Sequence, residues 1–246
     1  MGERIRIAGA VVTALFAGCG GSGVDRAPPP ARSGAPVAVE ACPRAGDGWR
    51  PFRVRARTGS LSAAVIGKGR AGVVFANRSG NSVCGWLRFA EQLASGRRVV
   101  VFEYRDQAAA AAELRSVARA LRADGARSVA IVGASIGGRA VVQAAARDGS
   151  TLAAAVSLSA ERSVGRLQDI LPDARRVHVP SLYVGSREDG YTSFGQETRQ
   201  LHRVTPAKVN RLLLVPGGAH GTDLLTDQRG GEVRAAITAF VRDNAG

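Results

Sequence analysis

The chain has 246 residues, 45% of them hydrophobic, which is enough for one sizeable domain with its own core. The formal charge of +14 rests on arginine, with few lysines, and reads as a codon-biased, solvated surface that could also attract anionic envelope polymers or lipid headgroups. Only 5% of residues are aromatic and no basic run is interleaved with them, so stacking platforms are scarce and no nucleic-acid partner is expected.

Residues 1–18 read as a targeting segment. Arg4 and Arg6 give a charged start, and Ile7 to Ala17 is apolar but too short to span a bilayer. Leu15-Phe16-Ala17-Gly18-Cys19 then resembles a bacterial lipobox, with Phe16 where that motif usually has Leu. The expectation is cleavage before Cys19, lipidation of Cys19 and a membrane partner reached through that anchor; an ordinary secretory signal is the alternative. Either way the chain is exported to the cell envelope. Residues 19–48 form a tether and N-terminal segment. Pro28-Pro29-Pro30 and Pro36, among Gly, Ser and Ala, keep its first part extended. With Cys19 acylated, Cys42 and Cys84 remain as a pair in an oxidising compartment and are expected to bridge.

From residue 49 to 246 the pattern alternates strand and helix. Ser60 to Ile66 reads as an edge strand and Ala71 to Ala76 as a buried strand. Trp86, Phe89, Ala90 and Leu93 fall at helical spacing, so Gly85 to Ala94 is an amphipathic helix. Arg98 to Tyr104 is a second buried strand, and Leu114, Val117, Ala118 and Leu121 mark the next helix. Ser128 to Val132 is a third strand, followed by a sharp turn over Gly133 to Gly137 and a helix from Gly138 onward. Leu152 to Leu158, Ser181 to Gly185 and Arg211 to Val215 are further strands, and Val233, Ala236, Ile237, Phe240 and Val241 give a closing helix. Near-continuous apolar strands alternating with helices indicate a mostly parallel sheet covered on both faces. There is no internal repeat.

In such a sheet ligands bind beyond the strand C-termini. Three candidate catalytic residues follow strands: Ser135 in Gly133-Ala134-Ser135-Ile136-Gly137, Asp189 in Gly185-Ser186-Arg187-Glu188-Asp189-Gly190, and His220 in Gly217-Gly218-Ala219-His220-Gly221. A serine hydroxyl needs an imidazole to take its proton, and a carboxylate on the far ring nitrogen fixes the tautomer. Glu188 competes with Asp189; Asp189 is preferred because Asp is the commoner acid and Gly190 suits a tight turn. His178 reads as lying just ahead of a strand and His202 as solvated on a helix. An oxyanion hole would use the backbone N–H of Ile136 and a donor from Asn77 or Arg78 after the first buried strand.

The G-x-S-x-G turn and the order Ser, acid, His resemble the α/β-hydrolase superfamily over about Arg53 to Arg242. Within it the chain looks most like the small exported esterases of the dienelactone-hydrolase-like group, whose namesake has a cysteine where this chain has Ser135. The resemblance implies an α/β-hydrolase fold and hydrolysis of small carboxylic esters or thioesters through an acyl-enzyme, with no cofactor and no metal. Only Ala160 to Pro180 separates two strands where lids usually insert, so no substantial cap domain is expected. Two other readings stay open on the same residues: a non-catalytic binding or scaffold lipoprotein, and an acyltransferase or peptidase.

Overall fold

The computed structural model describes residues 38–246 except 43, 44, 81, 164, 166 and 190–192. The targeting segment, Cys19 and the proline-rich part of the tether lie outside the described residues, as does Gly190.

Ten strands and six α-helices make up the described chain: β1 (Arg50–Pro51), β2 (Val54–Ala56), β3 (Gly59–Leu61), β4 (Ala63–Ile66), β5 (Ala71–Ala76), α1 (Leu87–Leu93), β6 (Arg97–Phe102), α2 (Ala110–Ala123), β7 (Ser128–Ala134), α3 (Ile136–Asp148), β8 (Ala154–Leu158), α4 (Leu171–Ala174), β9 (Ser181–Ser186), α5 (Phe194–Val204), β10 (Asn210–Val215) and α6 (Gly230–Ala245). Eight strands form one sheet in the order β1-β4-β6-β5-β7-β8-β9-β10. From β6 to β10 all pairings are parallel, and β4 and β1 add an antiparallel edge. The apolar runs explain this. Val73, Val74, Phe75, Val99, Val100, Val101, Ile131 and Val132 are all fully buried, as strands covered on both faces require.

Alternation along each strand splits the core in two. Val74, Val100, Val129 and Ile131 face α2 and α3, meeting Leu114, Val117, Leu121 and Val141. Val73, Phe75, Val99 and Val132 face α1 and α6, meeting Leu87, Phe89, Leu93, Ile237 and Phe240. On that second face Phe75 and Trp86 rings lie 4.6 Å apart.

The expected edge strand over Ser60 to Ile66 is two strands, and neither is the edge of the eight-stranded sheet. Gly59–Leu61 pairs with Val54–Ala56 in a separate hairpin, and Ala63–Ile66 pairs with β6 on one side and β1 on the other. One apolar run is thus shared between two ladders that part at Ser62. Likewise, the helix expected from Gly138 begins at Ile136, and β7 runs on to Ala134, leaving Ser135 alone between them.

The packed chain also starts before residue 49. Ala38, Val39 and Cys42 are buried on the second face, and Cys42 is disulfide-bonded to Cys84 in the segment after β5. Gly46 N–H and the Trp49 indole both donate to Glu91 on α1. Among the described residues no helix is long and apolar enough to cross a membrane.

Candidate active site

β6 lies to one side of β5 and β7 to the other, so the chain reverses its direction of sheet building between β5 and β7. The crevice at such a reversal, beyond the strand C-termini, is where open parallel sheets bind ligands. Ser135 follows β7 there, and Asn77, Arg78 and Ser79 follow β5.

Ser135 has φ 57° and ψ −119°, a strained conformation for a residue with a side chain. Two absent side chains allow it. A Cβ on Gly133 would sit 2.2 Å from the Gly137 carbonyl oxygen, and one on Gly137 would sit 2.3 Å from that of Ala76 and 2.5 Å from that of Asn77. Strand, turn and helix therefore close tightly round the serine and against the loop after β5. The Ser135 N–H is bonded to Leu158 O at 2.9 Å, and its own carbonyl accepts from Arg139 N–H to start α3. Ile136 N–H comes next, in the first turn of α3, where helical N–H groups have no carbonyl one turn earlier. That end of the helix favours negative charge.

The other half of the site hangs from β9 and β10. His220 Nδ1 lies 2.9 Å from Asp189 Oδ2 and 3.1 Å from Oδ1. Both residues are buried, the Asp189 side chain completely. Glu188 turns the other way, accepting from Gly217 N–H at 2.8 Å. The histidine loop is clamped on both flanks. Ser186 Oγ donates to Ala219 O at 2.6 Å, and Gly221 N–H donates to Ser159 Oγ at 3.1 Å. Ser159, with φ 42°, is the second strained non-glycine residue of the described chain. A Cβ on Gly221 would come 3.8 Å from the Ser135 Cβ, so this loop passes directly beside the serine. Phe194, the first residue of α5, stands against the imidazole with ring centroids 4.8 Å apart.

A residue that sequence reasoning passed over joins them. The Ser135 hydroxyl donates to Glu161 Oε1 at 2.7 Å, in a buried contact. Glu161 follows β8 by three residues, as Asp189 follows β9, and that placement just beyond a strand C-terminus is the signal that could have found it. Arg139 on α3 fixes its segment, donating to the carbonyls of Glu161 at 3.4 Å, of Arg162 at 2.7 Å, and of Gln168. Burial pulls the Arg139 guanidinium below its ordinary pKa, while Asp173, Glu161 and Asp169 push it back up. Arg162 N–H is held by Glu197 of α5 at 2.9 Å.

Arg78, Ser79, Glu161, Phe194 and His220 line a cavity of about 290 Å³. Arg78 pairs with Asp223 at 3.2 Å at its exposed edge. Asn77 is fully buried and its amide donates to Phe102 O at 2.6 Å, so its side chain braces β6. His202 is half-buried, with its ring 6.2 Å from that of Tyr183, and His178 is exposed in the turn before β9. Between β8 and β9 the described chain holds one helix, the four-residue α4. Among the described residues no cluster of three or more His, Cys, Asp or Glu side chains could hold a metal ion.

No protein-family model matches the sequence, and no curated protein does. Solved structures do match the fold. A dienelactone hydrolase from Anabaena variabilis has a TM-score of 0.67 at 18% identity, covering 80% of this chain and 98% of its own. A Pyrococcus furiosus esterase has a TM-score of 0.66 at 13% identity, covering 83% and 98%. An enol-lactonase from Burkholderia xenovorans has a TM-score of 0.65 at 12% identity, covering 77% and 99%. The chain has the α/β-hydrolase fold.

Proposed function

We propose that this α/β-hydrolase-fold chain is a serine hydrolase that cleaves small carboxylic esters or thioesters through an acyl-enzyme on Ser135. The observation that carries the reading is the buried Asp189–His220 pair at 2.9 Å, in the loop that passes beside a serine held at φ 57°. His220 takes the Ser135 proton on Nε2 as Oγ bonds to the substrate carbonyl carbon, and returns it to the departing alkoxide or thiolate. Water then repeats the sequence to release the acid. Asp189 holds the proton on Nδ1 and steadies the imidazolium. Ile136 N–H, with a backbone donor from the Asn77–Arg78 loop, receives the developing oxyanion. No step calls for a cofactor or a metal. The short β8–β9 connection favours short acyl groups over long chains.

The named neighbours, a dienelactone hydrolase, an esterase and an enol-lactonase, support ester chemistry by likeness of fold. The test is labelling of the chain by a fluorophosphonate, followed by a panel of short-chain esters. Labelling lost in Ser135→Ala is the expected result; a folded wild type that neither labels nor hydrolyses any ester overturns the reading. One observation favours a second reading, a binding protein on the same fold: the hydroxyl proton of Ser135 points at Glu161. In that case the cavity takes a ligand and the probe is inert.

We further propose that the chain is exported and anchored through Cys19, on the strength of the charged start, the short apolar run and Ala17-Gly18-Cys19. Incorporation of labelled palmitate that disappears in Cys19→Ala is expected; incorporation that persists overturns it.

A further inference from the structure

Glu161 is an unusual neighbour for a nucleophilic serine. It is 9% exposed, Oε1 accepts the Ser135 hydroxyl, and Oε2 is buried with no hydrogen-bond partner among the described residues. A buried carboxylate left half-satisfied is costly, and a ligand that brings positive charge to it is correspondingly favoured. Among the described residues the positive groups nearby are hydrogen-bonded or paired elsewhere, although Arg139 is close enough for Glu161 to feel its charge. Arg139 spends its guanidinium on three backbone carbonyls, and Arg78, across the cavity, pairs with Asp223. His220 holds Asp189. Among the described residues lining the cavity, Glu161 is the one carboxylate.

Resting on the ester-hydrolase reading above, we infer that the Glu161 carboxylate binds an ammonium group on the carbon next to the scissile carbonyl, so that the site selects aminoacyl esters. The distances fit. When Oγ bonds to the carbonyl carbon, an α-nitrogen two bonds further on falls about 3–4 Å from Oγ by ordinary bond lengths. Oε1 is 2.7 Å from the same atom, within reach of that nitrogen. A charge-assisted N–H···O bond then replaces the one from the serine at Oε1 and brings positive charge beside the unpartnered Oε2. The Ser135 hydroxyl, displaced from Glu161, turns its proton to His220. Binding of the ammonium and release of the nucleophile are one exchange of hydrogen bonds. The aminoacyl group forms an ester with Oγ as the alcohol departs with the proton from His220, and water releases the free amino acid.

The experiment compares benzyl esters of alanine, N-acetylalanine and propanoic acid, at a pH below the pKa of the alanine ester's amine. The acid product is measured by chromatography, beside fluorophosphonate labelling of the same preparation. In the wild type, kcat/KM for the alanine ester is expected to exceed that for the other two by on the order of 10- to 100-fold. In Glu161→Gln the ratio falls toward one, and in Glu161→Asp, which keeps the charge but withdraws it by one methylene, it falls part of the way. The ratio is read within each enzyme, and melting curves establish that each variant is folded; should Glu161→Gln fail to fold, Glu161→Asp carries the test. Cleavage of the propanoate ester with no preference for alanine overturns this inference alone, as does a preference that survives both substitutions. If all three esters are inert and Ser135 does not label, the ester-hydrolase reading falls and this one with it.

Discussion

The two halves of the candidate site are held in different ways. The nucleophile half, β7 to α3, is built from backbone: Ser135 is forced out by a strand and a helix that approach until no Cβ fits at Gly133 or Gly137. The acid–base half, on the loops after β9 and β10, is built from side chains: Ser186 and Ser159 clamp the loop on either flank of His220, Asp189 holds its ring and Phe194 backs it. The first kind of construction has few sequence solutions, so it leaves a motif. The second has many, so it leaves none. It also means the two halves should fail differently, the first by loss of fold or of all chemistry, the second by graded loss.

The largest effect expected is that of Ser135→Ala, which leaves the elbow backbone in place and removes the attacking atom. Hydrolysis should fall by roughly 10⁶-fold, to the limit of detection, with the melting temperature little changed. Asp189→Asn should come next, at about 10³- to 10⁴-fold in kcat, because the amide keeps the shape but not the charge or the tautomer control. Kinetics on one ester with both variants, against circular-dichroism melts, checks the pair. Residual activity in Ser135→Ala equal to the wild type would mean that the elbow is only structural.

Gly137→Ala breaks the backbone half instead. The new methyl would have to displace the Ala76 and Asn77 carbonyls at 2.3 and 2.5 Å, so a loss of about 3 kcal/mol in stability is expected, at the upper end of overpacking costs. In a domain of this size that lowers the melting temperature by roughly 6–12 °C. An alanine accepted there without cost would show that the close approach is not what fixes the serine.

The same division explains what could be read from the sequence. The run of Val, Ile and Ala strands fixed the parallel sheet, because a strand buried on both faces must be apolar throughout. The elbow was legible because Gly133 and Gly137 are steric necessities. The split of Ser60 to Ile66 was not, since both of its halves are apolar enough for a ladder and only tertiary pairing decides which. The choice between Glu188 and Asp189 turned on the course of an irregular turn, which has no periodicity to read. Glu161 drew no reading from the sequence, where it is one charged residue of a loop; it shares the cavity with Phe194 and His220 once the Arg139-bound segment is in place. Ser159 and Ser186 gave no signal at all, since a serine after a strand is common and a clamp exists only once its partner loop is in place.

The smallest effects, and the sharpest test of the contrast, belong to those two serines. Ser186→Ala removes the donor to Ala219 O and Ser159→Ala removes the acceptor of Gly221 N–H, each leaving a main-chain group of the histidine loop unpaired. Each loss should cost about 1 kcal/mol. If the clamps hold His220 in line with Ser135, that cost should be read in kcat as a fall of about 5-fold, with KM almost unchanged, because binding does not use the imidazole's alignment. The double variant decides between two accounts. Independent clamps give a product of the two single effects, about 25-fold. A loop held as one unit gives less, since the first loss already frees the histidine and the second has little left to release.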